Sequence, residues 1–536
     1  MKKLILFTAM AILAISSCAS HPADMTPEVY DIAANEVQVS GHLIDVRLVK
    51  KGQKVFPQND TYEFTDKAVE AIGGKIDCAL SLMEYVGPTK VRCGKLEKIL
   101  IANQWEDMAF PGWEYTGKHF ELGHIKYYIH EYTKAKVGEW VDIPIKVDQV
   151  FTTIVFGHKI TVVDTPVYGT VISKVKTLRK GTISNVCITV MPDGNYLASC
   201  TGSEVKKTTA MFISRDKGLT WEPHGNFDVA VNKVANYYNL FVHRGALYIM
   251  GVGPGDASNA DGVNKSNIYI CRSDDNGLTW TVPVDNKTGL LFEGLFHTAN
   301  VPVTVCNGRI WRACETHGDL KKPFMLSAPE DSDLLDASNW TMSNKIENVS
   351  FTVNGSRISS LIEGNAVSTP DGKVYNIIRS SSSVTSKYAT KIRVIDENTI
   401  EYDPAKDVVL MPGGGKKFTI RYDAQSKLYW TITNPDFEEN VYHNGIYWEG
   451  LSHSLMRNRM VLLYSTDLVN WVEAKDIIYN QDPFFHGFQY TDWTFDGEDI
   501  IAVVRTACPE KRGLPVRQHD ANMIIFVKIK NFRSIQ

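Results

Sequence analysis

The chain has 536 residues, a formal net charge of −4 and 44% hydrophobic residues. This length exceeds one ordinary compact domain, so two domains are expected. The 57 Lys and Arg residues against 61 Asp and Glu leave no basic excess, which argues against nucleic acid as a partner.

The first residues predict export. Met1-Lys-Lys precedes an apolar run over 4–15 that is too short for a retained membrane span. The run ends in Ile15-Ser-Ser-Cys18, which resembles the lipobox of bacterial lipoproteins, where the cysteine receives the lipid. The resemblance implies a signal peptide over 1–18 and lipidation at Cys18. It also implies an outer-membrane location facing the periplasm or the cell surface, with the lipid as the membrane contact. A plain secretory signal is the alternative.

Residues 22–171 alternate apolar and polar side chains, as in the segment 125–132, and show little helical periodicity. We therefore expect a separate β-sandwich domain here. An accessory carbohydrate-binding role and a structural brace for the rest of the chain are both open.

Residues 172–536 repeat one unit, an apolar stretch, a short polar turn and a second apolar stretch. Asp-Gly and Asn-Gly turns between β-rich stretches are strong hairpin signals. The six turns are Asp193-Gly194, Arg244-Gly245, Asn307-Gly308, Asp371-Gly372, Ala424-Gln425-Ser426 and Asp496-Gly497. Six repeats predict an all-β fold, a six-bladed β-propeller that follows the sandwich. A large β-sandwich with many hairpins is the alternative.

Two segments share the pattern Ser-x-Asp-x-Gly-x-Thr-Trp, at 214–221 and 273–280. The Asp carboxylate can accept backbone N–H groups of the turn, and the Gly can adopt a backbone conformation that other residues avoid. The pattern resembles the Asp box, a turn found between the outer strands of propeller blades, above all in sialidases. It is a scaffold element, so the chemistry must come from other residues.

Eight cysteines follow Cys18, and no pair has the spacing of a zinc site, so no metal or other cofactor is predicted. Cys187 and Cys200 are symmetric about the first predicted turn. A disulfide across that hairpin and two buried thiols are both compatible with an exported protein.

Four residues in the repeat region resemble the site of the sialidase superfamily, glycoside hydrolase family 33. Glu363 precedes the fourth turn and Arg379 follows it, Arg457 lies before Ser465, and Tyr490 precedes the last turn. The resemblance covers roughly the last 360 residues. It implies that Tyr490 is the nucleophile, that Glu363 is its base and that Arg379 and Arg457 bind a substrate carboxylate.

These residue types suit an acidic sugar. A carboxylate on the anomeric carbon repels an anionic nucleophile, whereas a neutral phenol can attack once a neighbouring Glu takes its proton. Arg guanidiniums bind carboxylates in bidentate fashion and stay charged at any working pH.

The first repeat departs from the family pattern. The family has an Arg where Ser184 stands, so the predicted carboxylate clamp lacks a member. The family also has an acid/base Asp on the loop after that hairpin, where Glu204 is the available carboxylate. His297, before the third turn, is a further candidate acid or base. Arg357 could add another guanidinium beside Glu363.

The expected function is therefore that of an exo-acting, retaining glycosidase. It would release a terminal acidic sugar, either sialic acid or a related keto or uronic acid, from a glycan. The alternatives are a non-catalytic carbohydrate-binding lipoprotein and a lyase or inverting hydrolase that uses His297.

Overall fold

The structure is a computed structural model. It describes residues 32–41, 44–54, 62–74, 76–81, 88–106, 110–144, 153–163, 168–178, 180–205, 209–225, 227, 236–254, 266–318, 321–347, 349–436, 451–480, 483–510 and 514–535. The proposed signal peptide and Cys18 lie outside these ranges. Among the residues described, no helix has the length and hydrophobicity needed to cross a bilayer.

The N-terminal part contains ten strands and one short helix. They are β1 (Val37–Gly41), β2 (Ile44–Leu48), α1 (Asp66–Ile72), β3 (Asp77–Ser81), β4 (Pro88–Cys93), β5 (Leu100–Asn103), β6 (Trp113–Leu122), β7 (Ile125–Tyr132), β8 (Val141–Asp142), β9 (Ile154–Gly157) and β10 (Ile160–Val163). Thr65 caps α1 by accepting the Ala68 N–H, and Gly73 ends it with φ 103°.

These strands form a four-stranded sheet, β10-β1-β4-β8, and a six-stranded sheet, β2-β3-β9-β5-β7-β6. Side chains of both sheets share one apolar cluster, to which Val39 and Val91 contribute from the first sheet and Ile101 and Val155 from the second. On these strands buried and exposed residues often alternate, as the sequence pattern predicts for a sheet with one face in a core.

The remaining strands run from β11 to β38. They are β11 (Thr170–Lys174), β12 (Ser184–Val190), β13 (Tyr196–Thr201), β14 (Thr209–Ser214), β15 (Glu222–Pro223), β16 (Asn236–His243), β17 (Ala246–Pro254), β18 (Ser266–Ser273), β19 (Leu290–Phe292), β20 (Phe296–His297), β21 (Thr304–Cys306), β22 (Arg309–Thr316), β23 (Pro323–Pro329), β24 (Thr341–Met342), β25 (Phe351–Val353), β26 (Ser356–Ile358), β27 (Ser360–Ser368), β28 (Val374–Ser381), β29 (Tyr388–Val394), β30 (Ile400–Glu401), β31 (Val408–Leu410), β32 (Thr419–Asp423), β33 (Leu428–Thr433), β34 (Arg459–Ser465), β35 (Trp471–Tyr479), β36 (Gly487–Asp496), β37 (Asp499–Ala507) and β38 (Met523–Ile529). Three single-turn 3₁₀ helices, Ala337–Asn339, His453–Leu455 and Phe532–Ser534, join them.

These strands form six antiparallel sheets and one separate hairpin, β25-β26. In chain order the sheets are β12-β13-β14-β15, β16-β17-β18-β19, β20-β22-β23-β24 with β21, β27-β28-β29-β30 with β31, β32-β33-β34-β35, and β36-β37-β38-β11. The last sheet takes its fourth strand, β11, from the start of the repeat region, so pairing of distant chain segments completes it.

Contacts between the six sheets run in a closed cycle. β36 contacts β12, β12 contacts β16, β18 contacts β20, β22 contacts β27, β27 contacts β32, and β32 contacts β36. We number these sheets one to six from β12 to β36. The first strand of each sheet, which is β12, β16, β20, β27, β32 or β36, is called its inner strand below.

The predicted hairpins are confirmed by the strand pairing. The six turns connect β12 to β13, β16 to β17, β21 to β22, β27 to β28, β32 to β33 and β36 to β37. Of the two interpretations of Cys187 and Cys200, two buried thiols are confirmed, because both cysteines are free and buried. Cys187 lies opposite Ser199 rather than Cys200, so the register separates the two sulfurs.

The two Ser-x-Asp segments form the same turn, between the third and fourth strands of sheets one and two. In the second copy Asp275 accepts the backbone N–H of Thr279 at 2.9 Å and its hydroxyl at 2.6 Å. Ser273 Oγ accepts the N–H of Gly277 at 2.9 Å, and Gly277 has φ 83°. The carboxylate therefore replaces backbone partners that the turn cannot supply.

Replacing Asp275 by Ala should lower the free energy of unfolding by about 1 kcal/mol, because the Thr279 amide loses its acceptor. Asp274→Ala is the matched control, since the exposed Asp274 pairs only with the partly exposed Arg272 among the described residues. Thermal melts of both variants measure the effect. Equal melting temperatures would contradict the proposed role of Asp275.

Candidate active site

Four inner strands carry a β-bulge at the same level. At each bulge the pairing register shifts and one non-glycine residue adopts a positive φ. These residues are Asn185 (50°), Tyr237 (50°), Glu363 (62°) and Tyr490 (50°). A left-handed conformation costs about 1–2 kcal/mol for such residues. A bulge turns a side chain out of the regular alternation along its strand. The strained backbone is therefore found at redirected side chains of four different sheets.

Two of the bulge residues are hydrogen-bonded to each other. The Tyr490 hydroxyl donates to Glu363 Oε1 at 3.0 Å, and Arg379 Nη1 donates to Glu363 Oε2 at 2.6 Å. Arg379 Nη1 also lies 3.5 Å from the Tyr490 oxygen, and its Nε donates to the Gly415 carbonyl at 2.9 Å. Glu363 and Arg379 are buried. A phenol, a carboxylate and a guanidinium from sheets four and six therefore form one group.

The charges of this group fix the protonation of Glu363. Burial alone would raise the pKa of Glu363, but Arg379, His297 and Arg457 together hold it below its ordinary value. Burial likewise opposes the charge on Arg379, and Glu363 and Tyr490 outweigh it, so the pKa of Arg379 is raised. Glu363 is thus an ionised carboxylate in contact with a phenolic hydrogen, as a base that activates Tyr490 must be.

Two more guanidiniums lie over the Tyr490 ring. The central guanidinium carbons of Arg457 and Arg505 are 5.3 and 5.2 Å from the ring centroid. Burial lowers the pKa of Arg457 to about 10, with Arg379 and Arg505 opposing its charge as well. Arg457 Nη1 and Arg505 Nε have no hydrogen-bond acceptor within the described part of the chain. Cations with free donors beside a phenol form a site for an anionic group.

Arg505 was missed by the sequence analysis. It lies on β37 opposite Gln489, the residue before the Tyr490 bulge, just as Arg379 on β28 lies opposite Ile362, the residue before the Glu363 bulge. An arginine on the strand after each of these Asp-Gly turns was the available signal. Sheet six thus brings a third guanidinium to the Tyr490 ring, whereas Ser184 is the residue before the bulge of sheet one.

A histidine and a glutamate from sheet three complete the group. His297 Nδ1 donates to Glu315 Oε1 at 2.6 Å, and the same oxygen accepts the backbone N–H of Glu363 at 2.9 Å. The Tyr237 ring lies 4.4 Å from the His297 ring between centroids. Burial, then Tyr490 and Glu363, raise the pKa of Tyr237, so its phenol is neutral.

Two predicted site residues do not join this group. Glu204 is exposed after β13, where its backbone N–H donates to the Lys174 carbonyl of β11. Arg357 is exposed on β26, opposite Thr352 in the separate hairpin. Neither is among the described side chains that contact Tyr490 or Glu363. The prediction placed them by chain order, but adjacent loops and hairpins here diverge from the bulges.

A buried lysine supports the loop that carries Arg457. Lys416 Nζ is paired with Asp436 and donates to Ser386 Oγ at 2.9 Å, and Asp436 also contacts His453 Nδ1 at 2.9 Å. Burial lowers the pKa of Lys416 to about 8. The charges of Arg457 and Arg379 also lower it, whereas Asp436 acts in the opposite direction. The ammonium is therefore held beside two site arginines by a single buried carboxylate.

No protein-family profile and no curated protein sequence matches this chain. Among solved structures it is similar to the Hadza microbial sialidase Hz136, with 13% identity, a TM-score of 0.46 and coverage of 76% of each chain. It is similar to Trypanosoma rangeli sialidase in complex with the inhibitor DANA, with 12% identity, a TM-score of 0.44 and coverage of 65% of this chain and 55% of that one. It is also similar to Penicillium chrysogenum alpha-L-arabinanase, with 11% identity, a TM-score of 0.41 and coverage of 68% and 98%.

Replacing Lys416 by Met should lower the melting temperature by several degrees, because the buried Asp436 carboxylate loses its ammonium partner, a change of about 3–5 kcal/mol in comparable pairs. Lys406→Met is the control, since Lys406 is exposed and its contact with Asp403 is a surface pair.

The difference in stability between wild type and Lys416→Met should also increase with pH. Folded Lys416 loses its proton near pH 8, whereas the unfolded side chain keeps it to about 10.4. The unfolded state thus binds more protons in this window, and wild-type stability rises with pH relative to the variant. Thermal melts of both proteins at pH 7 to 10 test this, and a difference in melting temperature that decreases with pH would contradict it.

Proposed function

We propose that the protein is a retaining glycosidase in which Tyr490 is the nucleophile and Glu363 its base. The observation that carries this proposal is the contact of the Tyr490 hydroxyl with an ionised, buried carboxylate, with three guanidiniums around the phenol. The six sheets are then the blades of a propeller from about residue 172 onward, and residues 22–171 are an accessory β-sandwich domain.

The position of the arginines supports an acidic substrate. Arg379, Arg457 and Arg505 all lie within a few ångströms of the Tyr490 side chain. A substrate anion bound by them would be next to the carbon that the phenol attacks. The carboxylate of a 2-keto sugar acid such as sialic acid is attached to that anomeric carbon, whereas a uronic acid carries its carboxylate across the ring oxygen. We therefore propose a terminal 2-keto sugar acid as the substrate.

A tyrosine nucleophile agrees with this substrate class. An Asp or Glu nucleophile would approach the substrate carboxylate with its own charge, whereas the phenol is neutral until Glu363 takes its proton. Attack of the Tyr490 oxygen on the anomeric carbon forms a glycosyl–tyrosine bond as the leaving-group oxygen departs. Water then attacks the same carbon, and Glu363 returns its proton to the phenolate, so the configuration is retained.

The site composition favours an enzyme over a binding protein. A binding site for an acidic sugar needs the three guanidiniums but has no use for a phenol hydrogen-bonded to an ionised glutamate. We also propose that Cys18 is lipidated and holds the enzyme at the outer membrane, where glycans of the envelope or its surroundings are accessible. Incorporation of a labelled fatty acid that is lost in Cys18→Ala tests the anchor.

Tyr490→Phe should lower kcat by about 10³-fold or more on a fluorogenic glycoside of a 2-keto sugar acid, because the nucleophilic oxygen is removed. The assay compares 4-methylumbelliferyl glycosides of 2-keto sugar acids with those of uronic acids. Tyr464→Phe on β34 is the matched control, since Tyr464 packs on Trp430 in sheet five, whereas Tyr490 belongs to sheet six. Both variants should melt close to wild type.

Full activity in Tyr490→Phe would exclude the tyrosine mechanism. Hydrolysis of the uronides alone would exclude the 2-keto sugar acid. Tight binding of the glycosides by wild type, measured by calorimetry, without any product after long incubation would instead indicate a non-catalytic carbohydrate-binding protein.

Arg505→Met should weaken binding of a 2,3-didehydro-2-deoxy sugar acid by about 10–100-fold, because a charge-assisted hydrogen bond to the ligand carboxylate is lost. Arg272→Met is the control, since Arg272 on β18 pairs with the exposed Asp274. Calorimetry measures both affinities. Equal affinity in wild type and Arg505→Met would show that the clamp consists of Arg379 and Arg457 without it.

A further inference from the structure

We infer that His297, oriented by Glu315, is the acid and base that serves the leaving group and the attacking water. The inference rests on the proposed function, because it assigns the proton transfers of that reaction which Tyr490 and Glu363 do not perform. Glu204 is the carboxylate that the sequence pattern predicts for this role, and its exposed position leaves the role open.

Glu315 holds the His297 ring in one orientation. The two residues pair across β20 and β22, and Glu315 Oε1 accepts the Nδ1 hydrogen at 2.6 Å. Glu315 is completely buried, so it cannot reach a substrate and acts as a positioning residue. With the hydrogen fixed on Nδ1, the exchangeable proton of the imidazole belongs to Nε2. Nε2 has no hydrogen-bond partner among the described residues, and it is not among their fully enclosed polar atoms.

The same carboxylate ties His297 to the nucleophile's base. Glu315 Oε1 also accepts the backbone N–H of Glu363 at 2.9 Å, at the bulge where Glu363 has φ 62°. One oxygen therefore sets the position of the imidazole and of the strained strand that carries the base. Catalysis requires reactive groups to be held within a narrow range of positions, and a hydrogen-bond partner that two such groups share restricts both of them.

His297 also borders the group that contains Tyr490. Its ring packs 4.4 Å from the ring of Tyr237, and the Tyr237 phenol interacts electrostatically with Tyr490 and Glu363. The charge of His297 helps to lower the pKa of Glu363, and Glu315 Oε1 joins the imidazole to the Glu363 backbone. The imidazole and the phenol are thus both linked to Glu363, the phenol by its own hydrogen bond and the imidazole through Glu315.

The second imidazole of the site is unsuited to the same task. His519 lies 6.1 Å from the Tyr490 ring between centroids and its Nδ1 contacts Asp520 at 2.8 Å. Burial, Arg457 and Arg505 lower the pKa of His519 to about 4 despite that contact. It is therefore neutral at working pH and has no proton to give to a leaving group.

The proton transfers balance. In the first step Tyr490 Oη bonds to the anomeric carbon while Glu363 takes the phenolic proton. The bond to the leaving-group oxygen breaks, and that oxygen takes the proton of His297 Nε2, which leaves a neutral imidazole. In the second step His297 Nε2 takes a proton from water as the water oxygen bonds to the anomeric carbon. The bond to Tyr490 breaks and Glu363 returns the proton to the phenolate.

The groups that face His297 come from four elements. They are Glu315 on β22, Glu363 on β27, Tyr237 on β16 and His317 just after β22, with its ring centroid 6.3 Å away. Burial, then His297 and Lys321, lower the pKa of His317. The imidazolium form of His297 therefore has two carboxylates beside it, and one of them moves a proton during the reaction.

The test compares a good and a poor leaving group on the same 2-keto sugar acid, as the 4-nitrophenyl and the methyl glycoside. His297→Gln should lower kcat/KM on the methyl glycoside by about 10²–10⁴-fold, because a poor leaving group needs the proton. The His297→Gln variant should still carry out the first step on the nitrophenyl glycoside, and this step is measured as a burst of nitrophenol. Azide should then speed the slow second step by replacing water. His317→Gln is the matched control and should resemble wild type on both substrates.

Glu315→Gln should lower kcat with little change in KM, and the alkaline limb of its kcat profile should lie at lower pH, because the imidazolium loses its counter-charge. A structural role for Glu315 would lower the melting temperature without moving that limb. Should the Gln variant melt far below wild type, Glu315→Asp, which keeps the charge, should restore the wild-type limb. An unmoved limb in a folded Glu315→Gln variant would overturn its positioning role.

Equal losses of His297→Gln on both glycosides, with no response to azide, would overturn the assignment of His297. Failure of the proposed function has other signs. If Tyr490→Phe stays active while His297→Gln loses only the methyl glycoside, the tyrosine mechanism fails and His297 remains the proton donor. A wild type that hydrolyses neither glycoside would overturn both.

Discussion

The site depends on the pairing of one buried carboxylate. Glu363 is 3% exposed, and an isolated charge at such a position would be expelled or neutralised. Arg379 and the Tyr490 hydroxyl bind its two oxygens, while Glu315 holds its backbone. These contacts join sheets three, four and six, so loss of Glu363 would leave a buried guanidinium without its anion as well as a phenol without its acceptor. The contacts of Glu363 therefore join the three sheets and also place an acceptor beside the phenol.

Two arginines of the same group keep unsatisfied donors. Arg457 and Arg505 each have a nitrogen without a hydrogen-bond acceptor among the described residues. An unsatisfied buried donor costs about 1–3 kcal/mol. A protein keeps such groups where a ligand satisfies them, because the cost to stability is then offset on binding. An anion bound between these arginines would supply the missing acceptors.

The sequence was informative where chemistry is local. Asp-Gly and Asn-Gly turns gave the hairpins, and the order of Glu363, Arg379, Arg457 and Tyr490 along the chain gave a group that the structure brings together. It was less informative where position depends on strand register. Each bulge shifts one residue out of the alternating pattern. The residue type does not predict a bulge, since Asn, Tyr and Glu all occupy these positions. Arg505, Glu315 and the correct place of Glu204 all depend on pairing between strands that the chain order does not show.

The register also shows which side chains lie at the level of the bulges. Thr201, Arg379 and Arg505 lie opposite Ser184, Ile362 and Gln489, which are the residues before the bulges of sheets one, four and six. Each of these three sheets therefore presents one side chain from its bulge and one from the facing strand. Contacts between the six sheets run in a closed cycle, and the guanidiniums of Arg379 and Arg505 both lie beside the Tyr490 side chain. The chemistry of such a site follows from which of these equivalent positions are charged, and here sheets four and six hold Arg379 and Arg505 where sheet one holds Thr201.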